Sequence, residues 1–291
     1  MARIGPEIDY EIDNETGIEY ARLLSKRLQK RKTYVRSAFF HRSDPSDDAP
    51  PATLLLRNRS QDGLQVKLAL FYLWSAGSEN PDPITEEAHT VNFRDEDVAL
   101  LFGLPEPAGN GRRRIANARK RLSARECPLI ELEAKPGKPP LVRIMREDGS
   151  GSAYLPPGAP GGGGDYYPLP LHFWTNGWHL ALSGPAVVAL LVLLRMEGTT
   201  SQRELWVNPT FRERYLGFSE DTWYRGVTQL WQHGIVKRGH KAIRRPFEDE
   251  ARRRRFTYQL NIHRFQESGP ADPRDPMAII RQDSVASSAT T

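Results

Sequence analysis

The same order of predicted secondary-structure elements occurs twice along the chain. This repeat is the sequence feature that most constrains the fold. Residues 64–146 are predicted to form three helices followed by a β-hairpin, and residues 170–264 are predicted to follow the same order. Only the succession of helical and strand periodicity is repeated, not residue identity. The length of 291 residues is typical of about two domains. The chain is therefore predicted to be α+β, mainly helical, with two similar modules.

The first unit is predicted from local patterns. The apolar segment LQVKLALFYLWSAG predicts one helix, and FRDEDVALLFGL predicts a second with Asp95 near its start. Residues 109–127 predict a third helix. Between residues 129 and 145, two strand-like runs flank a Lys-Pro-Gly-Lys turn, and this pattern is typical of a hairpin.

The second unit carries clearer helix signals. Ser183 is placed to cap a strongly apolar helix. Residues 208–218 predict a second helix, and Ser219 opens a third. The segments 235–239 and 252–262 then predict two strands that surround a basic loop.

Three segments lie outside these units. Residues 1–63 combine a basic N-terminal helix, from about Thr16, with a flexible segment. Residues 147–169 are rich in Gly and Pro and show no periodicity, which predicts a linker between the units. The polar tail, residues 265–291, is predicted to be disordered.

The helix that opens at Ser219 has two chemically different sides. Its apolar stripe consists of Trp223, Val227, Leu230 and Trp231, which are predicted to pack on the core. Its other side carries mostly hydrogen-bonding groups, namely Glu220, Thr222, Tyr224, Arg225, Thr228, Gln229 and Gln232. Such a pattern alone is most often a core helix with a polar outside. The basic hairpin behind it favours a partner on the polar side.

The segment FSEDTWYRGVTQLWQHGIV resembles the recognition helix of winged helix-turn-helix DNA-binding domains. In that family a Ser after an apolar residue starts the helix, a Thr or Arg follows within two turns, and Leu-x-x-x-Gly leads through two apolar residues into the wing. The matching residues here are Phe218, Ser219, Thr222, Arg225, Leu230, Gly234, Ile235 and Val236. The resemblance extends from Ser183 to Asn261.

The resemblance implies that the N-terminal half of this helix enters the major groove, while the hairpin lies along phosphates or the minor groove. The implied helix contacts are Ser219, Glu220, Thr222, Tyr224, Arg225 and Thr228. The implied wing contacts are Lys237, Arg238, Lys241, Arg244, Arg245, Arg253 and Arg255. Successive Arg residues alternate faces on a strand, so part of the run 252–255 is expected to point away from DNA. A solvated strand end is the alternative for that run.

Between residues 109 and 125 the third helix of the first unit is basic and contains no acid. The cations in and just after it are Arg112, Arg113, Arg114, Arg119, Lys120, Arg121 and Arg125. This unit also resembles a winged helix, although the turn before its third helix is longer. The resemblance implies DNA contacts from Arg112, Arg113, Arg114, Arg119 and Lys120, and from a wing tip that holds Lys135 and Lys138. A dimerisation module with a basic outside is the alternative.

Composition excludes some classes and weakly favours others. The formal net charge of +5 is weak evidence for a nucleic-acid partner, so the placement of charge matters more. A single cysteine, Cys127, excludes a disulfide scaffold and a CxxC zinc site. The most apolar run, residues 185–194, is too short to span a bilayer. The N-terminus lacks the layout of a secretory signal. We therefore expect a cytoplasmic, nucleoid-associated protein without a membrane partner.

No pattern of catalytic, cofactor-binding or metal-binding residues stands out. The pair at 166–167 could suggest a strand-transfer tyrosine, but His172 and His179 do not have the close spacing of a metal-binding His pair. The glycine run at 161–164 is not followed by the Lys-Ser/Thr of a phosphate-binding loop. The alternating acids Glu7, Asp9, Glu11 and Asp13 could hold a divalent metal, but a solvated or self-masking acidic arm is the preferred interpretation. We expect no enzyme activity and no cofactor.

The sequence thus predicts a double-stranded-DNA-binding protein with two winged helix-turn-helix domains joined by a Gly/Pro-rich linker. The tandem arrangement resembles the replication initiators of plasmids and other mobile elements, and it would equally suit a transcription regulator. A homodimer is left open. The alternative is a winged-helix protein–protein adaptor that binds no specific DNA sequence.

Overall fold

The fold is α+β and mainly helical, as predicted. The computed structural model describes residues 14–29, 32–57, 63–76, 89–134, 138–156, 158–200, 203–243, 253–267 and 269. Within these ranges the strands form three small antiparallel sheets, one of three strands and two of two strands. Most residues of the hydrophobic core lie in helices.

The elements follow one another in two halves. The first half contains α1 (Asn14–Leu28), β1 (Lys32–Arg36), α2 (Pro51–Arg57), α3 (Leu64–Ala76), β2 (Thr90–Val91), α4 (Asp95–Leu101), α5 (Arg112–Leu122), β3 (Ile130–Glu133) and β4 (Leu141–Ile144). The second half contains β5 (Tyr166–Pro170), α6 (His172–Thr175), α7 (Trp178–Ala181), α8 (Gly184–Thr199), α9 (Pro209–Phe211), α10 (Glu220–Gln232), β6 (Val236–Ile243) and β7 (Arg253–Leu260). A π-helical turn precedes α5, and another follows α9.

The predicted order of three helices and a hairpin is confirmed in both units. In the first unit α3, α4 and α5 precede the β3–β4 hairpin, and in the second α8, α9 and α10 precede the β6–β7 hairpin. The helix predicted from about Thr16 is also confirmed as α1. The structure adds β2, which pairs with β4, and the short helices α2, α6 and α7, none of which the sequence patterns predicted.

The helices α3 and α8 lie at the centre of the core. Every residue of α3 is buried, and α8 is buried over most of its length. The Trp74 ring of α3 stacks on Trp174 of α6, with ring centroids 4.9 Å apart. The Lys67 ammonium donates hydrogen bonds to the carbonyl oxygens of His179, at 3.0 Å, and Leu182, at 3.3 Å. Both predicted units therefore contribute to one hydrophobic core.

The segment 147–169, predicted as a linker, makes specific contacts with β1. Its last residues belong to β5, which pairs with β1 in antiparallel register. The Arg36 guanidinium donates to the Glu147 carboxylate at 3.1 Å and to the carbonyl oxygens of Leu155 and Gly162. Composition did not reveal these contacts, because backbone carbonyls accept hydrogen bonds whatever the side chain. The division into domains at residues 146 and 170 stays a prediction.

The third helix of the second unit approaches α8 very closely at Gly226. A Cβ atom built on Gly226 would lie 2.5 Å from the Pro185 carbonyl oxygen and 3.1 Å from the Ala189 Cβ. Real Cβ atoms do not come so near a backbone oxygen, so any larger residue must push the two helices apart. This glycine therefore sets both the distance between α8 and α10 and the rotation of α10 about its axis.

We expect Gly226→Ala to lower the free energy of unfolding by about 1–3 kcal/mol, because the added methyl group overpacks the helix contact. Urea unfolding followed by circular dichroism measures the change. The matched control is Gly163→Ala, since a Cβ at Gly163 would meet no atom within 4 Å. Equal stability of the two variants would show that α8 and α10 do not pack at this distance.

Candidate nucleic-acid interface

The start of α10 is capped as predicted. The Ser219 hydroxyl oxygen accepts a hydrogen bond from the Thr222 backbone N–H at 3.1 Å, which satisfies one of the open donors of the first turn. The two hydroxyl groups of Ser219 and Thr222 also lie 2.9 Å apart in hydrogen-bond contact. These two predicted DNA contacts therefore have a structural role at the helix start, and their polar atoms are only partly available to a partner.

The inner side of α10 differs from the predicted stripe at one position. Trp223, Val227 and Leu230 are buried, but Trp231 is 45% exposed. Because α10 lies very close to α8 at Gly226, the side of α10 that carries Trp223 and Leu230 faces α8. Trp231, the residue after Leu230, therefore lies outside the contact between the two helices. The assignment of Trp231 to the core is therefore wrong.

One polar residue of α10 serves the fold rather than a partner. The Gln229 side-chain oxygen accepts hydrogen bonds from the Ser183 N–H, at 2.9 Å, and from the Ser183 hydroxyl, at 2.6 Å. Its amide nitrogen donates to the Ala181 carbonyl oxygen at 2.9 Å. Gln229 thus ties α10 to the start of α8. The Thr228 hydroxyl oxygen is buried without a hydrogen-bond partner in the described part of the chain, whereas the residue as a whole is half-buried.

The outer side of α10 carries the remaining predicted contacts. Glu220, Tyr224 and Arg225 are exposed. The Arg225 Nε lies 3.0 Å from the Asp221 carboxylate, and Glu220 lies 3.8 Å from the Arg212 guanidinium. Exposed ion pairs contribute about 0–1 kcal/mol, so Arg225 can exchange Asp221 for another anion or for a guanine edge at little cost.

A cluster of rings around Arg238 joins α10 to the hairpin. The Arg238 guanidinium carbon lies 4.0 Å from the Phe256 ring centroid and 5.4 Å from the Tyr224 ring centroid. The His240 ring meets Phe256 edge-on at 4.6 Å. Tyr224 and Phe256 are 50% and 41% exposed. We call Tyr224, Arg225, Arg238, His240 and Phe256 the α10–hairpin face.

The cation at the centre of this face is held by rings alone. The Arg238 guanidinium has no ion pair or hydrogen bond with any described residue. Cation–π contacts at exposed sites are worth about 0.5–1 kcal/mol. They hold the guanidinium plane between the two rings and leave its N–H donors without a partner in the described structure. This arrangement suits contact with an acceptor outside the protein.

The strand register divides the other basic residues of the wing between two faces. Arg238 lies opposite Tyr258 and faces α10, whereas Lys241 lies opposite Arg255 on the other side. Lys237, one residue before Arg238, also projects away from α10 and is exposed. The expected alternation of the arginine run is thus present in the backbone of β7. Arg244 and Arg245 lie outside the described residues, and the side chain of Arg253 does too.

The first unit presents a second basic surface on α5. Arg112, Arg113 and Lys120 are exposed, and Arg112 lies 3.6 Å from Glu96. Arg114 is half-buried. Of the predicted wing-tip residues, Lys138 is exposed, and Lys135 lies outside the described residues.

Arg119, a predicted DNA contact, is buried and belongs to the core. Its guanidinium donates to the Tyr72 hydroxyl at 2.6 Å and to the Phe93 carbonyl oxygen at 2.9 Å, and it forms an ion pair with Asp95. It lies one helical turn after Ile115, on the inner side of α5. The prediction is corrected here: Arg119 links α5 to α3 and α4 and is not available to DNA.

Sequence reasoning missed Phe256 and His240. Both lie in strands whose residues alternate between faces, and a strand pattern alone does not show which face is covered by a helix. The register places Phe256 and Tyr258 on the same side of the hairpin as Arg238, and the sequence alone does not give this register.

Two further observations concern the part of the chain that the structure describes. It contains no helix that is long and apolar enough to cross a membrane. It also contains no group of three or more His, Cys, Asp or Glu side chains arranged to hold a metal ion. Comparisons of the whole chain with protein families, curated proteins and solved structures find no match.

Proposed function

We propose that this chain is a double-stranded-DNA-binding protein of the winged helix-turn-helix type, and that the α10–hairpin face is its main contact surface. The observation that carries the proposal is the position of Arg238. A helix with an exposed polar side lies directly against a basic hairpin, and Arg238 is held at their junction by Tyr224 and Phe256. Its biological role would be transcription regulation or replication initiation.

The order and length of the elements support a contact between α10 and the major groove. Four turns of helix, capped at Ser219, follow a short helical turn and lead into a hairpin. A helix of this size fits the major groove of B-DNA. Tyr224 and Arg225 lie on the first exposed turns, where base edges would be in reach.

The presence of basic residues on both faces of the hairpin supports a contact between the wing and DNA. A hairpin that lies in the minor groove has a phosphate strand on each side, so it benefits from cations on both of its faces. Arg238 lies on one face of β6, and Lys237 and Lys241 lie on the other. Arg112, Arg113 and Lys120 on α5 offer a second region for phosphate contacts.

The exposed rings favour a second candidate function. Tyr224, Trp231 and Phe256 are large and exposed, and aromatic residues are enriched in protein–protein contacts. Trp231 also lines a groove of about 440 Å³ together with Lys237 and Arg238. An adaptor that binds another protein through this groove would show no salt-dependent affinity for DNA, whereas the proposed function requires one.

We expect Arg225→Ala to weaken binding to a selected duplex by about 1–3 kcal/mol and to leave binding to random duplex nearly unchanged. Arg225 can direct a bidentate fork at guanine, which random sequence presents only by chance. Fluorescence anisotropy with a duplex selected from a random pool measures both affinities. Arg214→Ala, an exposed arginine outside α10, is the control. Equal losses on both duplexes would remove Arg225 from sequence readout.

The two biological roles differ in what happens to the bound DNA. A replication initiator should bind repeated sites and melt the adjacent duplex. A transcription regulator should leave the duplex paired, and it should act only by blocking its site or by recruiting other proteins to it. Permanganate reactivity of thymines beside the selected site separates these outcomes, because permanganate oxidises unpaired thymine.

A further inference from the structure

A cavity of about 820 Å³ lies on the side of the hairpin away from α10. The end of α8, the segment 203–208 and the back of the β6–β7 hairpin line it, and it is open to solvent. Its chemically informative lining residues are Arg195, Arg203, Trp206, Phe211, Lys241 and Arg255. None of these residues belongs to the α10–hairpin face, although Lys241 and Arg255 are also among the implied wing contacts.

The lining carries a strong excess of positive charge. Among the lining residues that the structure describes, four cations, Arg195, Arg203, Lys241 and Arg255, face a single acid, Glu204. Lys241 and Arg255 lie directly opposite each other in the hairpin register, so their like charges are held side by side. Like charges in such positions repel. An anion placed between the cations would relieve this repulsion.

Two of these guanidinium groups also have unused donors. The Nε atoms of Arg195 and Arg255 are buried, and no hydrogen-bond partner is found for them among the described residues. Most buried polar atoms in proteins have a partner, so two such donors beside one cavity need an explanation. Arginine forks match phosphate and carboxylate oxygens in bidentate geometry, and a ligand of that kind would supply the missing acceptors.

Aromatic rings supply the other half of the cavity. The Arg255 guanidinium carbon lies 4.2 Å from the Trp206 ring centroid, which fixes the position of the guanidinium. Phe211 stacks on Tyr215 with centroids 5.4 Å apart, so its ring orientation is fixed as well. Two held rings beside a cation cluster form a surface on which a flat ring of a ligand can pack.

We propose that this cavity binds a small phosphomonoester that carries a flat ring, of the size of a nucleoside monophosphate. The phosphate lies between the Arg195 and Arg255 guanidinium groups, and the ring packs against Trp206 or Phe211. The described lining has a surplus of three cations over acids, which suits a dianion. The proposal does not depend on DNA binding, because none of its ligand contacts lies on the α10–hairpin face.

Isothermal titration calorimetry with AMP tests the proposal. Adenosine provides the ring without the anion, and inorganic phosphate provides the anion without the ring. We expect AMP to bind at least about tenfold more tightly than either fragment. Arg195→Gln and Arg203→Gln should each weaken AMP binding about tenfold, since each removes a charged hydrogen-bond donor. Arg203 is exposed, so its variant should fold normally.

The control variant is Arg214→Gln, an exposed arginine that does not line the cavity, and its AMP affinity should be unchanged. Absence of AMP binding at millimolar concentration, or an equal loss in all three variants, would overturn the proposal. Binding of inorganic phosphate as tight as that of AMP would overturn the role of the rings. A 16-base-pair duplex is titrated in parallel. A tenfold loss of duplex affinity in Arg195→Gln would assign the cavity to the DNA backbone instead.

Discussion

Replacement of Arg36 by Met is expected to lower the free energy of unfolding by about 3–5 kcal/mol, the usual cost of removing one partner from a buried ion pair. Arg36 and Glu147 are both 2% exposed, and their side chains lie 3.1 Å apart. The same guanidinium donates to the Leu155 and Gly162 carbonyl oxygens and lies over the Tyr166 ring at 4.7 Å. Its removal leaves a buried carboxylate and two carbonyl groups without their donor.

The cost should depend on pH. Burial raises the pKa of Glu147 to about 7, although Arg36 acts in the opposite direction. Without Arg36 the pKa of the Glu147 carboxyl should rise further. In the unfolded chain this carboxyl has its ordinary pKa of 4.5, so the folded variant binds a proton at a higher pH than the unfolded chain does. The folded state then binds more protons between these values, and stability is lost as the pH rises through them. We expect the variant to lose more stability at pH 8 than at pH 5.

Urea unfolding at the two pH values measures both effects. Arg143→Met is the matched control, because Arg143 forms an exposed pair with Glu131 at 3.6 Å, and its loss should cost less than about 1 kcal/mol. The double variant Arg36→Met, Glu147→Leu removes the unpaired carboxylate and should regain part of the stability. A cost at Arg36 no larger than at Arg143 would show that the buried pair does not hold residues 147–169 against β1.

The second large effect concerns DNA affinity. Replacement of Lys237, Arg238 and Lys241 together by Ala should weaken binding to any duplex on the order of 100-fold at moderate salt, because three phosphate contacts are lost. Each lost contact should also reduce the slope of log Kobs against log salt concentration by about 1. The three residues occupy both faces of one strand, so the change tests the wing as a whole.

The control for this variant removes the same charge elsewhere. Lys26 and Arg27 in α1 and Arg57 in α2 are exposed and lie outside both proposed contact regions. Their joint replacement by Ala should leave the salt slope almost unchanged. A similar loss of affinity in the two triple variants would mean that net charge, rather than the wing, determines DNA binding.

Local chemistry made much of the fold predictable. Ser183 and Ser219 were recognisable as caps because a hydroxyl beside a helical pattern has a defined partner one turn on, and both are caps in the structure. The two hairpins were predictable from strand patterns on either side of a Lys-Pro-Gly-Lys turn and of a basic loop. Such signals depend on residues close in sequence, so no knowledge of the tertiary fold was needed.

Contacts between distant segments could not be predicted in this way. Arg119 looks like a surface cation in the sequence, and only the positions of Tyr72 and Asp95 on other helices explain its burial. Residues 147–169 look like a linker, yet β5 pairs with β1 from more than a hundred residues away. Trp231 looks apolar and inward, but the close helix contact at Gly226 turns it outward.

The same distinction holds for the candidate site. The residues of α10 that face outward, Tyr224 and Arg225, followed from helical periodicity. The ring cluster did not, because it needs the hairpin register and the packing of the hairpin on α10 at once. Prediction from sequence therefore identified the helix side of the face and missed the contact that joins it to the wing.

The most direct test of the proposed function is the affinity of the intact chain for a random 24-base-pair duplex at salt concentrations from 50 to 200 mM. Fluorescence anisotropy gives Kobs at each concentration. If at least four cations from the wing, α10 and α5 contact phosphates, the slope of log Kobs against log salt should be about −3.5 or steeper. No measurable binding, or a slope near zero, would contradict DNA binding and favour the adaptor function.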